Sequence, residues 1–379
     1  MKLLMITPYF YPKIGGRENY AYNFCVGLKK QYKCDIVVIT SNHAEKKDKV
    51  ETIHGIKIYR LAPLFKLSNT PINPFWYWKI KEIIKDEKPD LINAHTPVPG
   101  IADIAALAAG NIPFIVTYHA FSIYKHNFTV FNVLVSIYKM FEQLLFNRAD
   151  KIIIVSDVIK AVIPNKFKNK ILVIYNSISS KNISKLKIVN NYKKINIVFI
   201  SSLDRSHEWK GLNEILLAIK LYVNKTNNNI TLNIIGDGNH KQKYQQLVKT
   251  YGINKNVKFF GKKESVKKNN ILSNATIAII YPKSSNDAFP TVALEYWANH
   301  LPIIASNITP INKLFKNKET AYLIQPNNPN VLAKAIRYIS DNKAFAEKIS
   351  KKGYEELNKK YILENEVKKL YLLIMNFAL

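Results

Sequence analysis

Short apolar runs, rich in β-branched residues, alternate with longer stretches of helical spacing along nearly the whole chain. "KLLMITPYF", "CDIVVITS", "DLINAHTP", "PFIVTYHA", "KIIIVSD" and "KILVIYN" are apolar throughout rather than at every second position. Such runs suit strands buried on both faces, as in a parallel sheet. Between them lie "ENYAYNFCVGLKK", "FWYWKIKEIIKDEK", "IADIAALAAG" and "FTVFNVLVSIYKMFEQLLFNRAD", all of helical spacing. Strand–helix alternation implies an α/β fold with right-handed crossovers.

The rhythm breaks at residues 177–195, "SISSKNISKLKIVNNYKKI", rich in Ser, Asn and Lys and free of acid, and then restarts. "INIVFISSL", "ITLNIIGDG", "VKFFG", "TIAIIYP", "PIIAS" and "AYLIQP" follow as strands. Two domains are expected, residues 1–180 and 181–361, followed by an amphipathic segment at 362–379. With 379 residues, 47% of them hydrophobic, the chain can fill two cores. Two cysteines, Cys25 and Cys34, form no CxxC, which points to a reducing compartment rather than a disulfide framework. The first residues, "MKLLMITPYFYP", begin like a signal peptide, but Pro8 and Pro12 cut the apolar run short, and a buried first strand is the better reading. A cytoplasmic protein, soluble or peripheral on the inner face of a membrane, is expected.

In open parallel sheets ligands bind beyond the carboxyl ends of the strands. Gly15 and Gly16 follow the first run and precede a helix, where backbone N–H groups can meet an anion. His95 and His119 close two further runs; each reads either as a structural histidine or as a reacting group. In the second half, Lys210 stands where a helix opens; Gly236 begins a Gly-Asp-Gly turn. A cation at a positive helix end makes sense if both share an anion. In "SSNDAFPTVALEYW", Asp287 and Glu295 are isolated carboxylates in a strongly basic chain. With Pro290 in the first helical turn, Asp287 falls in the preceding loop and Glu295 more than one turn inside the helix. Sugar hydroxyls at each carboxylate and a phosphate between them would fit, which describes a nucleotide sugar; a capping Asp with a solvated Glu fits as well.

Taken together, these motifs resemble family 4 of the retaining glycosyltransferases, and the resemblance spans nearly the whole chain. It rests on "PKIGGRENY", "PDLINAH", "PFIVTYHA", "VIYNS", "SSLDRSHEWKGL" and "SNDAFPTVALEYWA". It implies the GT-B fold of two facing Rossmann-like domains, the first on the acceptor side and the second binding the donor. It also implies that helix 362–379 crosses back to the first domain. The co-substrate would be a UDP- or GDP-sugar, the acceptor a glycan or a lipid-linked molecule. The resemblance assigns Glu295 to the ribose, Asp287 with Phe289, Pro290 and Thr291 to the donor sugar, and Lys210 to the leaving diphosphate. Gly15 and Gly16 would approach the diphosphate, Gly236 would line the donor site, Arg205 would be a basic partner of Lys210, and His95 and His119 would lie on the acceptor side, with His119 at the reaction centre. No metal and no other cofactor are implied, and no DxD triplet occurs. Asp287 replaces the family's usual Glu, Ser201 and Ser177 usual glycines, and His300 another glycine.

Two rival classes remain at this level. A nucleotide-sugar epimerase or another non-transferase GT-B enzyme would need no acceptor. A nucleic-acid-binding protein would concentrate its basic residues in one motif with stacking aromatics. Here the charge of +29 is spread, with 24 basic against 13 acidic residues in 1–180 and 32 against 14 in 181–379, and no nucleic acid is expected. An anionic membrane surface is a candidate partner, through the nine lysines from Lys160 to Lys194 or through the aromatic segment at 73–85.

Overall fold

The structure is a computed structural model that describes residues 1–13, 15–67, 70–122, 124, 129–184, 194–225, 229–263, 265–284 and 289–377. The chain divides into two compact units, Met1–Ser177 with Leu363–Leu379, and Ile178–Ile362.

The first unit is built on β1 (Lys2–Thr7), β2 (Asp35–Ser41), β3 (Lys49–Ile53), β4 (Ile56–Leu61), the small hairpin β5 (Phe65–Leu67) and β6 (Thr70–Ile72), then β7 (Leu91–Thr96), β8 (Phe114–Tyr118), β9 (Lys151–Ile154) and β10 (Ile171–Val173). Its helices are α1 (Gly16–Tyr32), α2 (Trp76–Glu87), α3 (Ile101–Ala108) and α4 (Thr129–Arg148). The main sheet runs β10-β9-β8-β7-β1-β2-β4-β3. All neighbours are parallel except β3, which pairs antiparallel with β4. Chain order reverses at β1, so right-handed crossovers send α1 to one face and α2, α3 and α4 to the other. The β3–β4 hairpin was not anticipated. Its strand "KVETI" is largely exposed, so it lacks an apolar run, although the His54–Gly55 pair, both at positive φ, is a hairpin-turn signal.

The second unit holds β11 (Lys194–Ile200), β12 (Asn229–Ile235), β13 (Val257–Phe259), β14 (Ile277–Ile280), β15 (Ile303–Ser306) and β16 (Tyr322–Ile324). Its helices are α5 (Leu212–Val223), α6 (Lys241–Thr250), α7 (Ser265–Ser273), α8 (Val292–Ala298), α9 (Ile311–Leu314), α10 (Pro329–Asp341) and α11 (Lys343–Lys360). Its sheet, β13-β12-β11-β14-β15-β16, is wholly parallel and reverses order between β11 and β14. Ile197, Leu232, Ile234, Ile277 and Ile304 are among the fully buried residues of its core.

The last helix, α12 (Leu363–Met375), belongs to the first unit and packs on α1. Tyr371 stacks on Tyr32 at 3.9 Å, and a Cβ on Gly27 would stand 2.6 Å from Val367 Cγ2, so glycine permits the close approach. The Tyr175 backbone N–H donates to the Glu366 carboxylate at 2.8 Å.

Candidate functional site

In each unit the candidate residues follow the carboxyl ends of strands at or next to the reversal of chain order, the side on which open α/β sheets bind ligands.

In the first unit, Gly15 caps α1 in an extended conformation and Gly16 is its first helical residue. The Glu18 side chain folds back over Gly15; its carboxylate stands where a Cβ on Gly15 would go, with Cδ at 3.0 Å. β7 and β8 pair with His95 opposite Thr117, which brings His119, one residue past β8, beside His95. The two imidazoles meet at 3.0 Å, Nε2 of His119 to Nδ1 of His95. The His119 backbone N–H donates to the Thr96 carbonyl at 3.1 Å, and the Tyr20 ring stands edge-on to His119 at 5.1 Å. His95 is buried and its Nε2 has no hydrogen-bond partner. Burial, then the Arg17 charge, pulls the His95 pKa down to about 3. Burial, then His95 and Arg17, holds His119 well below the usual histidine range. Both rings are therefore neutral at physiological pH, and His119 can exchange a hydrogen bond without carrying charge.

In the second unit, the exit loops of β11 and β12 are laced together. The Leu203 N–H donates to the Asp237 carbonyl (3.0 Å), His240 N–H to the Leu203 carbonyl (2.9 Å), Asn239 N–H to Asp204 Oδ1 (3.0 Å) and Arg205 N–H to Asn239 Oδ1 (2.9 Å). Gly236, at φ +149°, passes so close to the Ser201 carbonyl that no Cβ fits. From this loop a 3₁₀ helix, Arg205–Lys210, leads to Gly211, which caps α5 at φ +80°. Lys210 Nζ lies 4.3 Å from the centre of the Trp209 ring. The β14 exit loop joins through Lys283, whose N–H donates to the Trp209 carbonyl at 2.7 Å and whose Nζ pairs with Glu214 at 2.9 Å.

Arg205 and Lys210 occupy opposite ends of the 3₁₀ helix, about 10 Å apart at 2 Å rise per residue. The Arg205 side chain is exposed. Phe289 is buried with its ring against Tyr361, and Pro290 is buried beside it; both serve packing through their side chains. Thr291 is the N-cap of α8, so the helix begins after Pro290 rather than at it. Glu295 is therefore the fourth helical residue and lies in the first turn, not more than one turn inside. Asp287 lies outside the described residues.

One neighbour of Glu295 escaped the sequence analysis. Lys268 on α7 places Nζ 2.8 Å from Glu295 Oε2, each side chain about a quarter exposed. The contact lies outside hydrogen-bond geometry, leaving Oε2 without a bonded donor. Nothing in "SVKKNNILS" marks this lysine out among its neighbours, because the pairing depends on how α7 packs beside α8. Among the described residues no group of three or more His, Cys, Asp or Glu is placed to hold a metal ion.

Comparison with known proteins gives concordant matches. The family model described as Glycosyltransferase Family 4 matches residues 14–181, and the model described as Glycosyl transferases group 1 matches residues 181–356. An uncharacterized glycosyltransferase of Methanocaldococcus jannaschii is 26% identical over 380 residues, 98% of each chain. Among solved structures, the chain is similar to a sucrose-phosphate synthase from Thermosynechococcus elongatus, with a TM-score of 0.80 and 17% identity over 100% of this chain and 99% of that one. It is also similar to Anabaena HepE in complex with UDP-glucose, with a TM-score of 0.70 and 18% identity over 99% of this chain and 100% of that one.

Proposed function

The chain belongs to the group 1 glycosyl transferases, enzymes of GT-B fold, and from that premise we propose that it moves a sugar from a UDP- or GDP-sugar to a glycan or lipid-linked acceptor, with retention at the anomeric carbon. The observation that carries the donor assignment is the arrangement in the second unit. Lys210, at the end of the 3₁₀ helix after β11, and Glu295, in the first turn of α8 after β14, follow the two strands that flank the reversal of chain order, and Gly236 allows the β12 exit to approach the Ser201 carbonyl closely. Similarity to a protein solved with UDP-glucose supports a nucleotide sugar as the ligand.

On this reading Glu295, beside Lys268, accepts hydrogen bonds from the ribose hydroxyls. Lys210 offsets the charge that grows on the nucleoside diphosphate as the bond to the sugar breaks, a fixed electrostatic role that leaves no required place for a divalent cation. Gly15 and Gly16 are assigned to the donor diphosphate from the motif alone. His119, neutral and aligned by His95, hydrogen-bonds a hydroxyl at the reacting centre. Asp287 is assigned to the donor sugar from the motif alone.

The test is a screen of UDP- and GDP-sugars for protection against thermal unfolding, followed by transfer assays with the stabilising donor in the presence of EDTA. Lys210→Ala should fold normally and lose on the order of 100-fold in turnover. His119→Ala should lose transfer and keep nucleotide binding. Conversion of the donor to another nucleotide sugar without any acceptor would favour the epimerase reading. Loss of activity on chelation, restored by manganese, would refute the metal-free assignment.

A further inference from the structure

A surface helix of a globular unit normally turns a polar face to water. α4 does not. Val133, Leu134, Ile137, Met140, Phe141 and Leu144 all point outward, from 46% to 72% exposed, while Val135, Leu145 and Phe146 on the opposite side are buried in the unit. The outward positions recur at helical spacing and form one stripe about 17 Å long at 1.5 Å per residue. No charged side chain interrupts it. Lys139 and Glu142, the charged residues within its span, turn away and pair with each other at 2.7 Å against Tyr118.

The stripe has company on the same face of the sheet. α2 packs beside α3 and α3 beside α4. Phe75 and Trp78 at the start of α2 are 58% and 63% exposed, and Leu107 on α3 is more exposed still. The β5–β6 hairpin that leads into α2 shows Leu64, Phe65 and Leu67 to solvent, with exposed Lys66 among them. Lys81 and Lys85 along α2 and Lys88 at its C-cap are exposed, with exposed Glu82 and Asp86 between them. Monomeric proteins rarely leave so continuous an apolar patch open to water.

Charge decides what covers it. A second copy of the chain would bring +29 against +29, which opposes self-association through an α4 stripe whose one nearby acid, Glu142, is buried and paired with Lys139. An anionic lipid surface answers both properties: acyl chains take up the apolar stripe, and the phosphates of the headgroups meet the surrounding lysines. Aromatic rings at the edge of the patch suit the boundary between headgroup and hydrocarbon. Among the described residues no helix is long and apolar enough to cross a membrane, so the contact is interfacial. We propose that the outer face of α4, with the start of α2 and the β5–β6 hairpin, is a docking surface for an anionic membrane. The surface is independent of the donor chemistry.

The experiment is vesicle sedimentation of the full chain with phosphatidylcholine alone and with phosphatidylcholine plus phosphatidylglycerol, across a salt series. The wild type should bind the acidic vesicles and retain a bound fraction at high salt. Met140→Glu with Phe141→Glu alters two exposed side chains, so melting temperature and donor protection should not change. Its partition should fall by roughly 100-fold or more, about tenfold for each large side chain kept from the hydrocarbon, and the salt-resistant fraction should vanish. Lys81→Glu with Lys85→Glu should instead weaken binding at low salt only. Failure of the wild type to bind acidic vesicles, or equal binding by Met140→Glu with Phe141→Glu, overturns the proposal. So does a wild type that is dimeric in solution and becomes monomeric in that variant, which would make the stripe a self-interface.

Discussion

Gly211 joins the local backbone to the chemistry of Lys210, and its replacement by alanine has a cost that can be worked out. Its φ of +80° lies in the left-handed region, where a side chain costs about 1–2 kcal/mol. The less flexible unfolded chain returns about 0.4–1 kcal/mol. Gly252 shares this conformation at φ +70° with nothing within 4 Å of a Cβ, so Gly252→Ala should cost only about 1 kcal/mol. At Gly211 the added carbon would fall inside the Tyr281 carbonyl oxygen and 3.0 Å from Tyr281 Cδ1. Neither partner can yield freely. The Tyr281 hydroxyl is bonded to the Gln325 carbonyl and the Asn328 N–H, both at 3.2 Å, and Lys283 ties the same loop to Trp209. Overpacking of this kind costs a further 1–3 kcal/mol or so, for a total near 3. In a unit of this size each kcal/mol lowers the melting temperature by about 2–4 °C. Gly211→Ala should therefore melt roughly 6–12 °C below the wild type and Gly252→Ala roughly 2–4 °C below it. A shift of about 1 Å in Lys210 should also reduce turnover by on the order of 100-fold, while Gly252→Ala keeps full activity. Matched melting curves and transfer rates of the two variants provide the measurement. Equal melting temperatures, or a Gly211→Ala enzyme of normal turnover, would refute the reasoning.

Glu295→Gln should weaken donor binding by about 1.5–3 kcal/mol in calorimetry, and Lys268→Met should weaken it less while leaving the acceptor KM unchanged. Wild-type affinity in Glu295→Gln would remove that residue from the donor site. Burial pushes the Asp103 carboxyl, which accepts from the Gly100 N–H at 2.8 Å, up to about 6. The unfolded chain then loses its proton first, so this group's contribution to stability falls as pH rises from about 4 to about 6 and is constant above. The full swing is about 3 kcal/mol, and Asp103→Asn should abolish it. Denaturation midpoints across that window, wild type against variant, would show parallel curves if the carboxyl were in fact unperturbed.

The parallel sheets were legible because their strands are buried on both faces, which leaves uninterrupted apolar runs. What the pattern did not carry was contact between distant segments. His95 and His119 each showed as strand-end histidines, but their meeting depends on the β7–β8 register. Glu295 stood out as an isolated acid, whereas Lys268, one lysine among many, became distinctive only when α7 was set beside α8. Pro290 marked a helix start correctly to within a residue or two, enough to move Glu295 into the first turn. Arg205 was named as the basic partner of Lys210 from the resemblance, and the 3₁₀ helix between them was not legible in "DRSHEWKG".

The first unit is discontinuous in sequence: α12 supplies the cover for α1 after the whole second unit has been synthesised. Until Leu363–Met375 leaves the ribosome, Gly27, Tyr32 and the Tyr175 N–H lack the partners Val367, Tyr371 and Glu366. The first unit is thus completed only after Ile178–Ile362 has been made. Damage also follows this order. A nick or premature stop after Ile362 spares the second unit and strips α12 from the first.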